Sequence, residues 1–132
     1  MDLRLRQVDG FFEVGRALER LKAFTDVLGA AGVTQLEYQA MLVIKTRPGE
    51  KITVRDLAHQ LRLTRAFSAR LADRLVENHF ALRRRSRRPP ETIVQLSESG
   101  GEILAQLATR HLEALRAAEE IMEGASSPPC EA

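Results

Sequence analysis

Cysteine is almost absent from this chain: Cys130 is the single one among 132 residues. That excludes an intrachain disulfide and argues against a metal or redox pair within one chain. An intermolecular thiol switch through a flexible terminal cysteine is a remote alternative. Long apolar runs are also missing. None approaches the roughly 20 residues that span a bilayer. The opening residues, Met1-Asp-Leu-Arg-Leu-Arg6, lead into an amphipathic pattern without a secretory core or cleavage site. A cytoplasmic protein with no membrane partner is expected. Catalytic constellations are lacking too. There is no nucleophile–base pair, glycine-rich phosphate loop or carboxylate cluster, and His59, His79 and His111 lack metal-ligand spacing. No enzyme activity, metal or cofactor is expected.

What is present is an ordinary globular composition, 44% apolar and 29% charged, in a chain long enough for one domain with a real core. The net charge of +2 says little about partners, but its distribution says more. Five of the six residues from Arg83 to Arg88 are arginine, while acids gather from Glu98 onward. Glu98, Glu102, Glu119, Glu120 and Glu123 read as a solvated helix face.

The stretch from Thr53 to Ser97 organises the rest. Thr53, with Asp56 three residues on, suits a helix start. Val54, Leu57, Ala58 and Leu61 then form one apolar stripe. After the short break at Arg62-Leu63, Thr64 can cap a second helix, in which Ser68, Leu71, Ala72, Leu75 and His79 share a face. Arg65, Ala66, Ala69, Arg70 and Asp73 project elsewhere, a small cationic surface suited to base edges and phosphates. Phe67 lies between the two faces, and the pattern leaves open whether it packs inward or touches a thymine methyl. Arg74 has two readings of equal weight, a DNA-backbone contact or an ion pair with Asp73 or Glu77. The arginine run and Thr92-Ile-Val-Gln-Leu96 read as a hairpin that begins at Leu82, with Pro89-Pro90 at its tip or return. Attached to such a helix pair, Arg84, Arg85, Arg87 and Arg88 point to phosphate or minor-groove contact. Arg55, at the start of its helix, is a further phosphate candidate, and Thr64 can reach a phosphate as well as cap. This is the layout of a winged helix-turn-helix.

The flanks are helical. Phe11, Val14, Leu18, Leu21, Thr25 and Leu28 form a stripe over residues 7–29, widened by Ala17 and Phe24 and ended by Gly29-Ala-Ala-Gly32. Thr34-Gln-Leu-Glu37 is a capping-box sequence that opens a helix closed by Arg47-Pro48-Gly49. Lys51-Ile52-Thr53 is a short extended piece that can pair beside the hairpin. Ser97 can cap a last helix of about 23 residues, with Leu104, Leu107, His111, Leu115, Ala118 and Met122 on its stripe. Both end segments carry more apolar face than one small domain covers, which points to a second copy. The fold class is therefore mainly α, a winged helix-turn-helix with a small β wing and a helical dimerisation region from both termini. Residues 1–32 and 98–123 form that region, 33–97 the DNA-binding region and 124–132 a flexible tail. The dimer contacts are expected at Phe11, Val14, Leu18, Leu21, Leu107, His111, Leu115 and Met122.

Taken together, Thr34-Gln-Leu-Glu-Tyr-Gln-Ala-Met-Leu42, Ile52-Thr-Val-Arg-Asp-Leu-Ala58, Leu63-Thr-Arg65, Arg70-Leu-Ala-Asp-Arg-Leu75 and Val94-Gln-Leu-Ser-Glu-Ser-Gly100 resemble the MarR family of bacterial transcriptional regulators in order and spacing. The resemblance implies a homodimer formed by intertwined first and last helices. It further implies recognition helices in successive major grooves of a pseudo-palindromic operator, and wings in the adjacent minor grooves. Many relatives repress transcription and release double-stranded DNA when a small, often aromatic, ligand binds. Two departures stand out. The family's wing commonly carries Asp-x-Arg, where this chain reads Ser86-Arg-Arg-Pro-Pro-Glu91. His79 also stands where a glycine commonly follows the recognition helix, and a left-handed cap would strain it, which leaves the turn open to a different form. The competing reading is a winged-helix protein-interaction module without specific DNA binding.

Overall fold

The computed structural model describes residues 5–126, with side chains for 10–124. Cys130 and most of the expected tail lie outside the described residues. The chain runs α1 (Leu5–Ala30), α2 (Gln35–Lys45), β1 (Lys51–Thr53), α3 (Val54–Leu61), α4 (Arg65–Glu77), β2 (Ala81–Arg87), β3 (Pro90–Leu96) and α5 (Glu98–Ser126). It forms two compact units, one from the residues up to Ala31 and from Leu107 onward, the other Gly32–Gln106. Among the described residues no single helix is long and apolar enough to cross a membrane.

In the Gly32–Gln106 unit α2, α3 and α4 each begin at a threonine whose hydroxyl satisfies an otherwise unpaired amide. Thr34, Thr53 and Thr64 Oγ1 accept the N–H groups of Glu37, Asp56 and Phe67 at 3.1, 3.0 and 3.1 Å. The first cap is only half of a capping box. The buried Glu37 carboxylate accepts from Asn78 Nδ2 at 3.4 Å, tying α2 to the end of α4. Tyr38, Met41 and Ile44 of α2 pack with Leu57 and Ala58 of α3, Leu71 and Leu75 of α4, and Val94 of β3 in one buried core. Burial pushes the Tyr38 phenol above its ordinary value.

The sheet order is β1-β3-β2, all antiparallel. Ile52 faces Val94, so the short piece before α3 is a true third strand. The hairpin begins at Ala81, one residue before Leu82, and turns at Arg88-Pro89, with Arg87 opposite Pro90.

The turn after α4 departs from expectation. The helix ends at Glu77, so His79 does not extend its buried face but is exposed beyond it, at φ +64°. Phe80 N–H donates to Leu75 O (2.9 Å) and His79 N–H to Val76 O (3.0 Å). This is the left-handed cap that a glycine usually makes, formed here by histidine. The following chain holds it. Ser97 and Ser99 Oγ both donate to His79 O, at 2.5 and 2.6 Å, and Ser97 N–H donates to Phe80 O at 3.0 Å. Ser97 Oγ also accepts Gly100 N–H at 3.0 Å, the expected cap of α5. A Cβ built at Gly100 would lie 1.9 Å from Phe80 O, so the close approach of α5 to this turn requires glycine.

In the other unit, α1 and the later part of α5 are only partly covered. Ala17 and Phe24 are buried, while Phe11 (63% exposed), Val14 and Leu18 (59%) face solvent. The α5 candidates divide. Met122 is exposed, but Leu107 is buried within its own chain, and His111 stacks on Phe24 with ring centroids 4.7 Å apart. Both make contacts within their own chain, which helical periodicity does not distinguish from contacts with a second copy. Leu21 and Leu115 are half-buried. Helix α5 has 29 residues and extends to Ser126, so Gly124 is helical rather than the start of a tail.

Candidate nucleic-acid interface

Helices α3 and α4 are joined by three residues. Arg62 takes the left-handed conformation (φ 56°, ψ 47°), and Leu63 N–H donates to Ala58 O at 2.8 Å, which closes α3 and turns the chain. The fully buried Ser68 Oγ donates to Val54 O at 2.8 Å, locking α4 to the first turn of α3. Leu71, Ala72 and Leu75 anchor the same side of α4.

The opposite side is open. Arg65, Ala66, Phe67, Arg70 and Arg74 are exposed, and Ala69 is half-buried. Phe67 is 44% exposed, which answers the question its periodicity left open: it is not a core residue. The Arg70 guanidinium lies over its ring, 5.6 Å from the centroid. Asp73 pairs with Arg83 of the wing rather than with Arg74. Thr64, exposed at the helix start, spends its hydroxyl oxygen on the cap.

The wing comes close to the start of both helices. Arg55, Arg65, Pro89, Pro90, Glu91 and Thr92 line an open groove of about 320 Å³ together with Thr53 and Val54. Arg55 and Glu91 form an ion pair at 2.7 Å, joining α3 to β3. Two acid–base pairs thus pin the wing, Arg55–Glu91 and Asp73–Arg83. Sequence reasoning named Arg55 only as a phosphate candidate and assigned nothing to Glu91 or Arg83. Their partners are 36 and 10 positions away, beyond any local pattern. Arg84, Arg85, Arg87 and Arg88 are all exposed on the hairpin. Among the described residues no group of three or more His, Cys, Asp or Glu is placed to hold a metal ion.

No family model matches the sequence, and no curated protein matches it. Solved structures do match in shape. Sco3205 from Streptomyces coelicolor, a MarR family transcriptional regulator in complex with DNA, superposes at a TM-score of 0.67 with 21% identity over 89% of this chain and 78% of that one. The fold is MarR-like. Two further matches repeat the MarR-like architecture. YusO from Bacillus subtilis gives a TM-score of 0.75 at 15% identity, covering 93% of each chain. NadR in complex with 4-hydroxyphenylacetate gives 0.67 at 19% identity, covering 86% of this chain and 80% of that one.

Proposed function

We propose that this chain is a sequence-specific DNA-binding transcriptional regulator, a dimeric repressor whose α4 enters the major groove and whose arginine wing reaches the adjacent minor groove. The observation that carries this reading is one arrangement. A capped helix presents Arg65, Ala66 and Arg70 to solvent, and its N-terminus shares a groove with the tip of an arginine-rich hairpin. The positive end of the helix dipole and the guanidinium groups then favour the same phosphate backbone. The DNA-bound state of Sco3205 supports the reading.

Phe11, Val14 and Leu18 of α1 and Met122 of α5 supply the surface for a second copy, which would set two α4 helices one helical turn apart on a pseudo-palindrome. Release by a small aromatic ligand is a subordinate part of the proposal, supported by the 4-hydroxyphenylacetate complex of NadR.

The test is affinity for DNA upstream of the chain's own gene, measured over a salt series. Log K falls by about 0.9 for each phosphate neutralised. Arg87→Ala or Arg88→Ala lowers affinity on all sequences and reduces the slope by about 1, whereas Arg65→Ala erodes the preference for the specific site. Salt-independent binding, or no shift with any genomic fragment together with a stable protein partner, would favour the protein-interaction reading instead.

A further inference from the structure

Phe67 is an exposed aromatic side chain on the most polar helix of the Gly32–Gln106 unit. Its backbone is fixed, since its N–H donates to the Thr64 cap at 3.1 Å, and the next residue, Ser68, is bolted to α3. Its ring carries the Arg70 guanidinium at 5.6 Å. The acid that would otherwise compete for Arg70, Asp73 at i+3, is held by Arg83. Ala66 and Ala69 flank the pair with methyl groups only, so nothing long keeps the helix away from a surface it approaches.

A guanidinium uses its face when it lies over a ring and its edges when it donates hydrogen bonds, so the two interactions are compatible. Held over Phe67, Arg70 loses rotamer freedom and keeps its in-plane N–H groups free for two acceptors. In the major groove, guanine offers such a pair, O6 and N7. The ring itself presents apolar surface, and the thymine C5-methyl is the one apolar group that base edges offer there.

We propose that Phe67 and Arg70 act as a single composite reader of a thymine beside a guanine in each half-site, with the ring on the thymine methyl and the guanidinium on guanine O6 and N7. This rests on the DNA-binding reading above and specifies the sequence class recognised. Neighbouring bases, about 3.4 Å apart along a strand, lie within the span of the pair.

The test begins by selecting bound duplexes from a random pool with the full-length protein. Each enriched half-site contains a thymine next to a guanine. Replacing that thymine by deoxyuridine removes only the methyl and weakens wild-type binding by about fourfold per half-site. Replacing the guanine by 7-deazaguanine removes N7 and weakens it by about tenfold. Phe67→Ala abolishes the deoxyuridine penalty, and Arg70→Ala abolishes the 7-deazaguanine penalty. Phe67→Leu keeps the first penalty but reduces the second, because an apolar contact remains while the ring that orients Arg70 is gone. Phe67 and Arg70 both lie on the exposed face of α4, so all three variants remain folded. Wild-type indifference to deoxyuridine, or a penalty that persists in Phe67→Ala, overturns the proposal while leaving DNA binding intact. Failure to enrich any sequence overturns the DNA-binding reading itself.

Discussion

Gly100→Ala adds a single methyl group in the first turn of α5, and the structure says what that methyl meets. Its position is 1.9 Å from Phe80 O, 2.7 Å from Phe80 C and 3.0 Å from Phe80 Cα. All three are backbone atoms, so no side chain can rotate aside, and the strand entrance must retreat by about 1 Å at the least. Phe80 O also accepts the Ser97 N–H, so the retreat breaks a hydrogen bond, with a penalty of about 1–3 kcal/mol when the group is left unsatisfied. Overpacking adds about 1–3 kcal/mol. The better helix propensity of alanine returns about 1 kcal/mol. The expected net loss is near 3 kcal/mol. Gly101→Ala is the control, because its Cβ meets nothing within 4 Å on the same helix. It should gain up to about 1 kcal/mol. Urea unfolding of both variants at one protein concentration measures the difference, with concentration held fixed because any self-association would shift apparent stability. Equal midpoints for the two variants would refute the claim that α5 docks through this glycine.

Two further predictions concern the same unit. His79→Gly relieves a left-handed L-residue worth about 1–2 kcal/mol, and after the extra unfolded-state entropy of glycine, about 0.5–1 kcal/mol, thermal unfolding should shift upward; a downward shift would show that the imidazole is needed. Tyr38 has a phenol pushed above 10.0 by burial, so its contribution is intact below pH 10 and is lost as pH rises through the higher folded value. Alkaline unfolding should therefore be less steep in Tyr38→Phe, and an unchanged pH profile would contradict this.

Much of the fold could be read from local chemistry. Thr34, Thr53 and Thr64 each cap a helix start because a short hydroxyl side chain three residues before an acid or an apolar face has few better uses. The stripes of α3 and α4 follow from periodicity alone, and Lys51-Ile-Thr53 from the extended piece that winged helices often pair beside the hairpin. What escaped depends on partners far away in the chain. The left-handed His79 turn survives without glycine because Ser97 and Ser99 grip its carbonyl from about 20 residues downstream. Glu37 closes no capping box because Asn78, 41 positions away, draws its carboxylate across. Leu107 and His111 lie on the stripe expected to face a second copy, and both also make contacts within their own chain, one buried and the other stacked on Phe24. At the candidate interface, sequence named the exposed arginines, but Arg55 and Arg83 prove to be engaged by acids of neighbouring elements.

Those two acid–base links have a further consequence. Both sit at the molecular surface, where solvent competes for the paired charges and rising ionic strength weakens the attraction further. On the proposed DNA-binding reading, added electrolyte would act twice, once by competing for the nucleic acid and once by slackening the brace that aims the hairpin. On that reading a titration of affinity against ionic strength bends downward at its concentrated end, and a straight-line fit there would count more neutralised phosphates than the proposed interface touches.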